Sequence, residues 1–357
     1  MRRLLPVLLL AVTVLAVDVS GQNDTLLVHN CDPGTEPFVC SVASFVYNSA
    51  KKQHSRLIHT GDNRNVRLGF PRSKILNTLK TSEPTIPIYD AKLHEELNRP
   101  PAVQISNARM RKLEIPLDLQ YSDFSRNKIA EVMVPEPKDS GSQYALRYLD
   151  LTLNSLSSIE KLHVLVNLET LVLVHNNLET LESTVFSGMH KLSMLVLSGN
   201  DFDELQFTIF PPSLVWLWLD GCYVSTLHMD GAHLPALETF SATDNSLRSL
   251  NVSMLQTMAP VLEEILLSEN LFNKETSDAL KVALEQAGIA HDGIEPYGEF
   301  MRVYFPGLHR NMADLKDHLE SWDAILSATA VVVNLLCIVG WVGHRIWQMK
   351  SQRRQLN

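Results

Sequence analysis

Residues 146–156 read LRYLDLTLNSL, and the pattern LxxLxLxxNxL returns five more times. The copies are LETLVLVHNNL from Leu168, LSMLVLSGNDF from Leu192, LVWLWLDGCYV from Leu214, LETFSATDNSL from Leu237 and LEEILLSENLF from Leu262. Successive starts lie 22, 24, 22, 23 and 25 residues apart. A unit recurring at this period cannot bury its own apolar edge, so its copies must stack into a solenoid.

The pattern specifies the geometry of each coil. Its fourth and sixth positions, such as Leu149 and Leu151, share one face of a short strand, and that face points into the coil. The ninth position is Asn in five copies (Asn154, Asn176, Asn200, Asn245, Asn270). Its amide turns the chain and bonds backbone groups that would otherwise be buried without partners. Cys222 takes that place in the copy from Leu214, where a small buried thiol fits a structural role. The expected fold is an α/β leucine-rich-repeat solenoid, a horseshoe with a parallel β-sheet on its concave face. An N-terminal β-rich cap, a C-terminal helical cap and one transmembrane helix complete the expectation.

The chain has 357 residues and a formal net charge of -9. Residues 1–21 and 344–357 hold six basic residues and one acidic; without them 25 basic residues stand against 39 acidic, a net of -14. That balance argues against nucleic acid as a partner. Arg2 and Arg3 followed by the apolar run Leu4–Val17 read as a signal peptide, residues 1–21, cleaved after Gly21 or nearer Ala16. An uncleaved signal anchor is the alternative. The uncharged run AILSATAVVVNLLCIVGWVG, Ala324 to Gly343, is long enough for one bilayer crossing; a buried core helix is the other reading. Arg345, Lys350, Arg353 and Arg354 place residues 345–357 in the cytoplasm, and 323–344 form the span. This is the plan of a single-pass type I plasma-membrane protein. Its 13-residue tail leaves no room for a catalytic domain.

Four cysteines are present. Cys337 falls in the span and Cys222 in the repeats, so Cys31 and Cys40 are the expected disulfide of an N-terminal cap over 22–98. Asn23 and Asn251 head glycosylation sequons, and the position of Asn251 after its strand and turn suggests the outer side of its coil. Repeats are expected over 99–275. Two weak ones, AVQISNARM and LQYSDFSRNKI, precede the six strong ones, and Ser122 stands where Leu is expected. After the repeats, SDALKVALEQAG reads as a helix capped at Ser277 and ended by Gly288. Met312, Leu315, Leu319 and Trp322 line one face of a juxtamembrane helix, closing a segment over 276–322.

No HExxH, GxSxG, CxxC or phosphate loop occurs, and His94-Glu95 has no second His four residues on. No enzyme, cofactor or metal site is expected. The informative residues alternate with the core positions and face out of the concave sheet. The third positions read Tyr148, Thr170, Met194, Trp216, Thr239 and Glu264; the fifth read Asp150, Val172, Val196, Trp218, Ser241 and Leu266. The middle coils are therefore apolar where solvent is expected. Tyr148, Val172, Met194, Val196, Trp216 and Trp218 are the candidate ligand-binding residues. The competing reading is that these side chains only stack on neighbouring strands. Asp220, Asp244, Glu238, Glu263, Glu264 and Glu269 make the C-terminal coils acidic, suited to steering a basic partner.

The signal, the short cysteine-pair cap, the run NRPPAVQISNARMRKL (Asn98–Leu113), the Asn repeats and the terminal span together resemble dipteran leucine-rich-repeat membrane proteins. They are similar to the transmembrane branch of the mosquito leucine-rich immune protein family. The likeness covers most of residues 30–275. It implies a cell-surface binding protein, a receptor or co-receptor, that recognises a protein or microbial ligand in innate immunity. Homophilic or matrix adhesion, or a membrane-tethered scaffold, is the alternative.

Overall fold

The structure, a computed structural model, describes residues 27–31, 40–42, 45–47, 55–59, 65–69, 86–136 and 141–297. The signal stretch, Asn23, the juxtamembrane stripe, the apolar run 324–343 and the tail lie outside these. So do the side chains of Cys31 and Cys40, and with them the expected disulfide. Among the described residues no helix is long and apolar enough to cross a membrane.

Among the described residues eleven short strands make one sheet. They are β1 (Cys40–Val42), β2 (Val66–Gly69), β3 (Ala102–Ser106), β4 (Tyr121–Asp123), β5 (Tyr148–Asp150) and β6 (Thr170–Val172), then β7 (Met194–Val196), β8 (Trp216–Trp218), β9 (Thr239–Ser241), β10 (Glu264–Leu266) and β11 (Ala290–His291). Each pairs in parallel with the next, in chain order. The six strong repeats supply β5 to β10, and the two weak ones supply β3 and β4. β1 and β2, ahead of the weak repeats, and β11, beyond the last strong one, are further rungs of the same sheet.

The register puts the fourth positions side by side. Leu149 faces Leu171, Leu171 faces Leu195, Leu195 faces Leu217, Leu217 faces Phe240, and Phe240 faces Ile265. All are fully buried. Burying one such side chain contributes roughly 1.5–3 kcal/mol, so the row binds each coil to the next. Ser122 occupies the same row in β4, and its hydroxyl donates to the Tyr148 carbonyl at 3.4 Å. Behind the sheet Phe207 meets Phe210 and Phe240 edge-on at 5.3 and 5.5 Å. Shorter parallel ladders, Glu204–Gln206 with Thr226–His228 and Ile88–Tyr89 with Lys112–Glu114 and Glu131–Met133, form where the coils return.

The ninth-position asparagines form the expected ladder. Asn176 accepts from the Leu156 N–H at 3.1 Å and donates to the Leu151 and Leu173 carbonyls, both at 3.0 Å. Each amide thus bonds its own coil and the one before it. Asn154, Asn200 and Asn270 repeat the arrangement. At Cys222 the ladder weakens to one thiol directed at the Leu197 carbonyl at 3.3 Å. Burial pushes that thiol up to about 12, so it stays protonated and unreactive.

A second column accompanies the ladder. The eighth position is left-handed in eight successive coils: Asn107, Arg126, Leu153, His175, Gly199, Gly221, Asp244 and Glu269 all have φ between 50 and 72°. The repeat pattern leaves this position unspecified because several residue types tolerate it, at about 1–2 kcal/mol each for a side chain with a Cβ. Gly199 has a second reason to lack one. A Cβ there would lie 2.2 Å from the His175 ring.

The helix after the last strong repeat runs Lys274–Ala287. Its start differs from the sequence expectation. Asn273 is the N-cap and accepts from the Thr276 N–H at 2.8 Å. Ser277 lies one turn inside the helix, fully buried, and its hydroxyl donates to the Ile294 carbonyl. Both residues are good N-caps by type; the added first turn carries Ser277 into the interior, and Leu280 and Leu284 farther along the helix pack on the core. Gly288 ends the helix in the left-handed conformation, as expected. The Asp292 carboxylate accepts from the Leu267 and Ser268 N–H groups at 2.8 and 2.9 Å, closing the turn after β10.

Candidate functional site

Strands of three residues expose two side chains and bury one, and the burial patterns of β5 to β8 show this alternation. The outward residues of neighbouring rungs are in register. In the third-position row Tyr148 stands between Tyr121 and Thr170, then Met194, Trp216 and Thr239 follow. In the fifth-position row Asp123 and Asp150 lead to Val172, Val196, Trp218 and Ser241. All six candidate residues are partly buried on one face. The structure brings five of them together. Met194 is the rung neighbour of Trp216 and Val196 of Trp218, with Val172 one rung before. Rungs lie about 4.8 Å apart, so these side chains form a continuous apolar strip. Tyr148 is apart from it, separated from Met194 by Thr170.

Tyr148 belongs to a polar end that lies before the strip. The Asp123 and Asp150 carboxylates occupy adjacent rungs. Arg67 Nε donates to Gln104 Oε1 and Gln104 Nε2 to Asp123 Oδ2, both at 2.5 Å. Burial raises the Asp150 carboxyl above the usual range, and neighbouring Asp123 adds to this against the bonds from Thr152. Burial also raises the Tyr148 hydroxyl, with help from Asp150 and Asp123. The weak repeat LQYSDFSRNKI carried the signal for Tyr121 and Asp123 at its third and fifth positions. Its Ser122 disguises the strand, so the outward rows read from strong repeats alone stop one coil short.

The acidic C-terminal coils divide into two kinds. Glu238, Asp244, Glu263, Glu264 and Glu269 are exposed. Asp220 is engaged within the protein. Its carboxylate accepts from the Thr243 N–H at 3.1 Å, the Thr243 hydroxyl at 3.0 Å and the Ser241 hydroxyl, and from the Ser198 hydroxyl at 3.4 Å. It ties three coils together rather than standing free to steer a partner.

Asn251 is exposed and caps helix Val252–Met258, its Oδ1 accepting from the Met254 N–H at 3.1 Å. The amide nitrogen, where a glycan attaches, is not the capping atom. A glycan there leaves the cap intact.

His94 is buried, and no three His, Cys, Asp or Glu side chains come together as a metal group among the described residues. Its Nε2 lies 3.0 Å from Asp118 Oδ1 and its Nδ1 2.7 Å from the Tyr89 hydroxyl. Asp118 accepts only, so the neutral ring carries its proton on Nε2 and receives the Tyr89 hydroxyl on Nδ1. Burial lowers the imidazole below its ordinary 6.5. Asp118 opposes this but is half exposed, with Arg99 3.8 Å away, so burial prevails. The unfolded chain therefore takes up a proton that the folded chain refuses. This contribution to stability is complete above about pH 6.5 and is lost as pH falls through that value towards the folded one. Unfolding of the His94→Gln variant followed from pH 7.5 to 5 is expected to show a shallower acid loss than the parent. An unchanged slope would assign the acid sensitivity elsewhere.

A family model described as leucine rich repeat matches residues 144–202. A Dictyostelium discoideum protein described as the probable serine/threonine-protein kinase roco8 is 32% identical over 143 residues. The match takes in 37% of this chain and 7% of that protein. Among solved structures, Toll in the Toll–Spatzle complex, described as a molecular hub in Drosophila development and innate immunity, is 20% identical with a TM-score of 0.40, covering 51% of this chain and 27% of that one. Human 5T4, the Wnt-activated inhibitory factor 1 or trophoblast glycoprotein, is also 20% identical at a TM-score of 0.40, covering 58% of this chain and 74% of its own. The six copies, the Asn ladder and the parallel sheet of one rung per coil make the described chain a leucine-rich-repeat solenoid.

Proposed function

We propose that this chain is a cell-surface binding protein, a receptor or co-receptor, that recognises a protein or microbial surface ligand on its concave face. The observation that carries the reading is the apolar strip Val172, Met194, Val196, Trp216 and Trp218, partly open to solvent in the middle of an eleven-stranded sheet. An outward row of large apolar groups is the chemistry of an interaction surface. A leucine-rich-repeat solenoid is a scaffold that generally binds rather than catalyses. The signal stretch, the apolar run 324–343 and the sequons at Asn23 and Asn251 support a type I glycoprotein with its ectodomain outside the plasma membrane. The immune role rests on the family resemblance.

The test is capture of ligands from body fluid and cell lysate by the full chain, beside its Trp216→Ser, Trp218→Ser variant. A ligand held by the first and released by the second, at equal surface expression, supports recognition on this face. Equal capture by both moves the site elsewhere. Aggregation of cells on expression of the chain alone would favour homophilic adhesion. On the same cells, Asn251→Gln is expected to remove one glycan's mobility shift, seen against enzymatic deglycosylation; an unshifted parent would remove Asn251 from the glycosylation sites.

A further inference from the structure

The charges around the strip select its occupant. From β4 to β10 the third, fifth and seventh positions carry four charged residues, Asp123, Asp150, Asp220 and Glu264, and no lysine or arginine. Asp220 is consumed by its bonds to Ser198, Ser241 and Thr243. That leaves a carboxylate pair before the strip, beside Tyr121 and Tyr148, and exposed Glu264 after it. Asp123 accepts from the Ser125 N–H and Gln104, and Asp150 from the Thr152 N–H, so each keeps acceptor positions for a cation where Asp220 already takes four bonds.

From this arrangement we infer that the concave face takes an extended polypeptide segment lying across the strands, with an apolar anchor between two cationic side chains. This rests on the reading of the strip as a binding surface and adds the chemistry of what binds. The anchor sits on Trp216, Trp218 and Met194. One cation meets Asp123 and Asp150, with the Tyr121 and Tyr148 rings offering cation–π faces, and the other meets Glu264.

The rungs fix the spacing. Asp150 is in β5, Trp218 in β8 and Glu264 in β10. At about 4.8 Å per rung the first interval is about 14 Å and the second about 10 Å. An extended chain covers about 3.3–3.6 Å per residue. The first cation therefore lies about four residues from the anchor and the second about three on its other side. The partial burial of Asp150 strengthens the first pairing, because a desolvated carboxylate gains more from a cation than an exposed one does.

The experiment is selection of a displayed library of random twelve-residue peptides on the purified full chain in detergent. Counter-selection uses the folded Trp216→Ser, Trp218→Ser variant. The expected result is enrichment of peptides bearing Trp, Leu, Phe or Met flanked by Arg or Lys at about these separations. Affinity of the selected peptides is expected to fall about tenfold in Asp150→Asn, which keeps the side-chain volume and removes one charge, and to weaken with added salt. Apolar peptides without cations that are lost on the tryptophan variant would overturn the inferred partner and leave the concave-face reading standing. Peptides retained by that variant would overturn both. Failure to enrich any peptide would overturn the inference that the occupant is an extended segment.

Discussion

Replacing Asn245 by alanine is expected to lower the free energy of unfolding by about 3–5 kcal/mol, because each buried group left without a partner costs about 1–3 kcal/mol. The Asn245 amide accepts from Cys222 N–H at 3.2 Å and Val224 N–H at 2.9 Å, and donates to the Leu219 and Thr243 carbonyls at 2.8 and 3.0 Å. Because position 222 is a cysteine, the neighbouring coil contributes no amide of its own there, and Asn245 takes two of its N–H groups where Asn154, Asn176, Asn200 and Asn270 each take one. The comparison variant is Cys222→Ala. It removes a weak thiol bond and a small volume, and is expected to cost about 1–2 kcal/mol. Denaturant unfolding of the three chains, followed by circular dichroism, separates them. If Asn245→Ala is no worse than Cys222→Ala, buried amides are not what couples these coils.

The second large effect is on binding. Truncating both Trp216 and Trp218 to serine is expected to weaken ligand binding at least about a hundredfold, since hot-spot aromatics contribute roughly 2–4 kcal/mol each. Their stability cost is expected to be small beside that. Both side chains are partly open to solvent, whereas Leu217 between them is fully buried. Leu217→Ala provides the contrast, with about 2–5 kcal/mol lost from the fold. Titration of a captured ligand and a thermal melt on each variant give the two readouts. A tryptophan variant that melts as early as Leu217→Ala would show that the pair serves the sheet.

The repeats were legible because their signal is local. A Leu at the fourth position, another at the sixth and an Asn at the ninth state strand, core and turn within eleven residues, six times over. The register follows from the period, so the neighbours of Trp216 and Trp218 could be read from the chain. Rungs that break the local pattern could not be placed in the sheet. β1 and β2 belong to it through backbone pairing, which leaves no periodic trace in a single copy. β11 is a two-residue strand that follows the helix Lys274–Ala287. Asp220 was misread for a related reason. Composition gives its charge, but only the fold brings the Ser198, Ser241 and Thr243 hydroxyls to it from the coils on either side.

Cys222 and Asp220 lie two residues apart, on opposite sides of one backbone turn. Between the coils of β7 and β8 the inward amide is missing, and the Asp220 carboxylate on the outward side reaches Ser198 instead. Cohesion at this junction has moved from the dry interior to the outward face of the sheet, beside the apolar strip. A ligand seated as proposed would clamp β7 to β8 from outside through Met194, Val196, Trp216 and Trp218, beside the bond from Ser198 to Asp220. If the concave face is the binding surface proposed above, the tightness of this joint and the occupancy of the face would be two readings of one balance. Amide hydrogen exchange at Gly199, whose N–H bonds the Asp220 carbonyl across this junction, and at Leu219, whose N–H bonds the Ser241 carbonyl across the next, is where that balance would become visible.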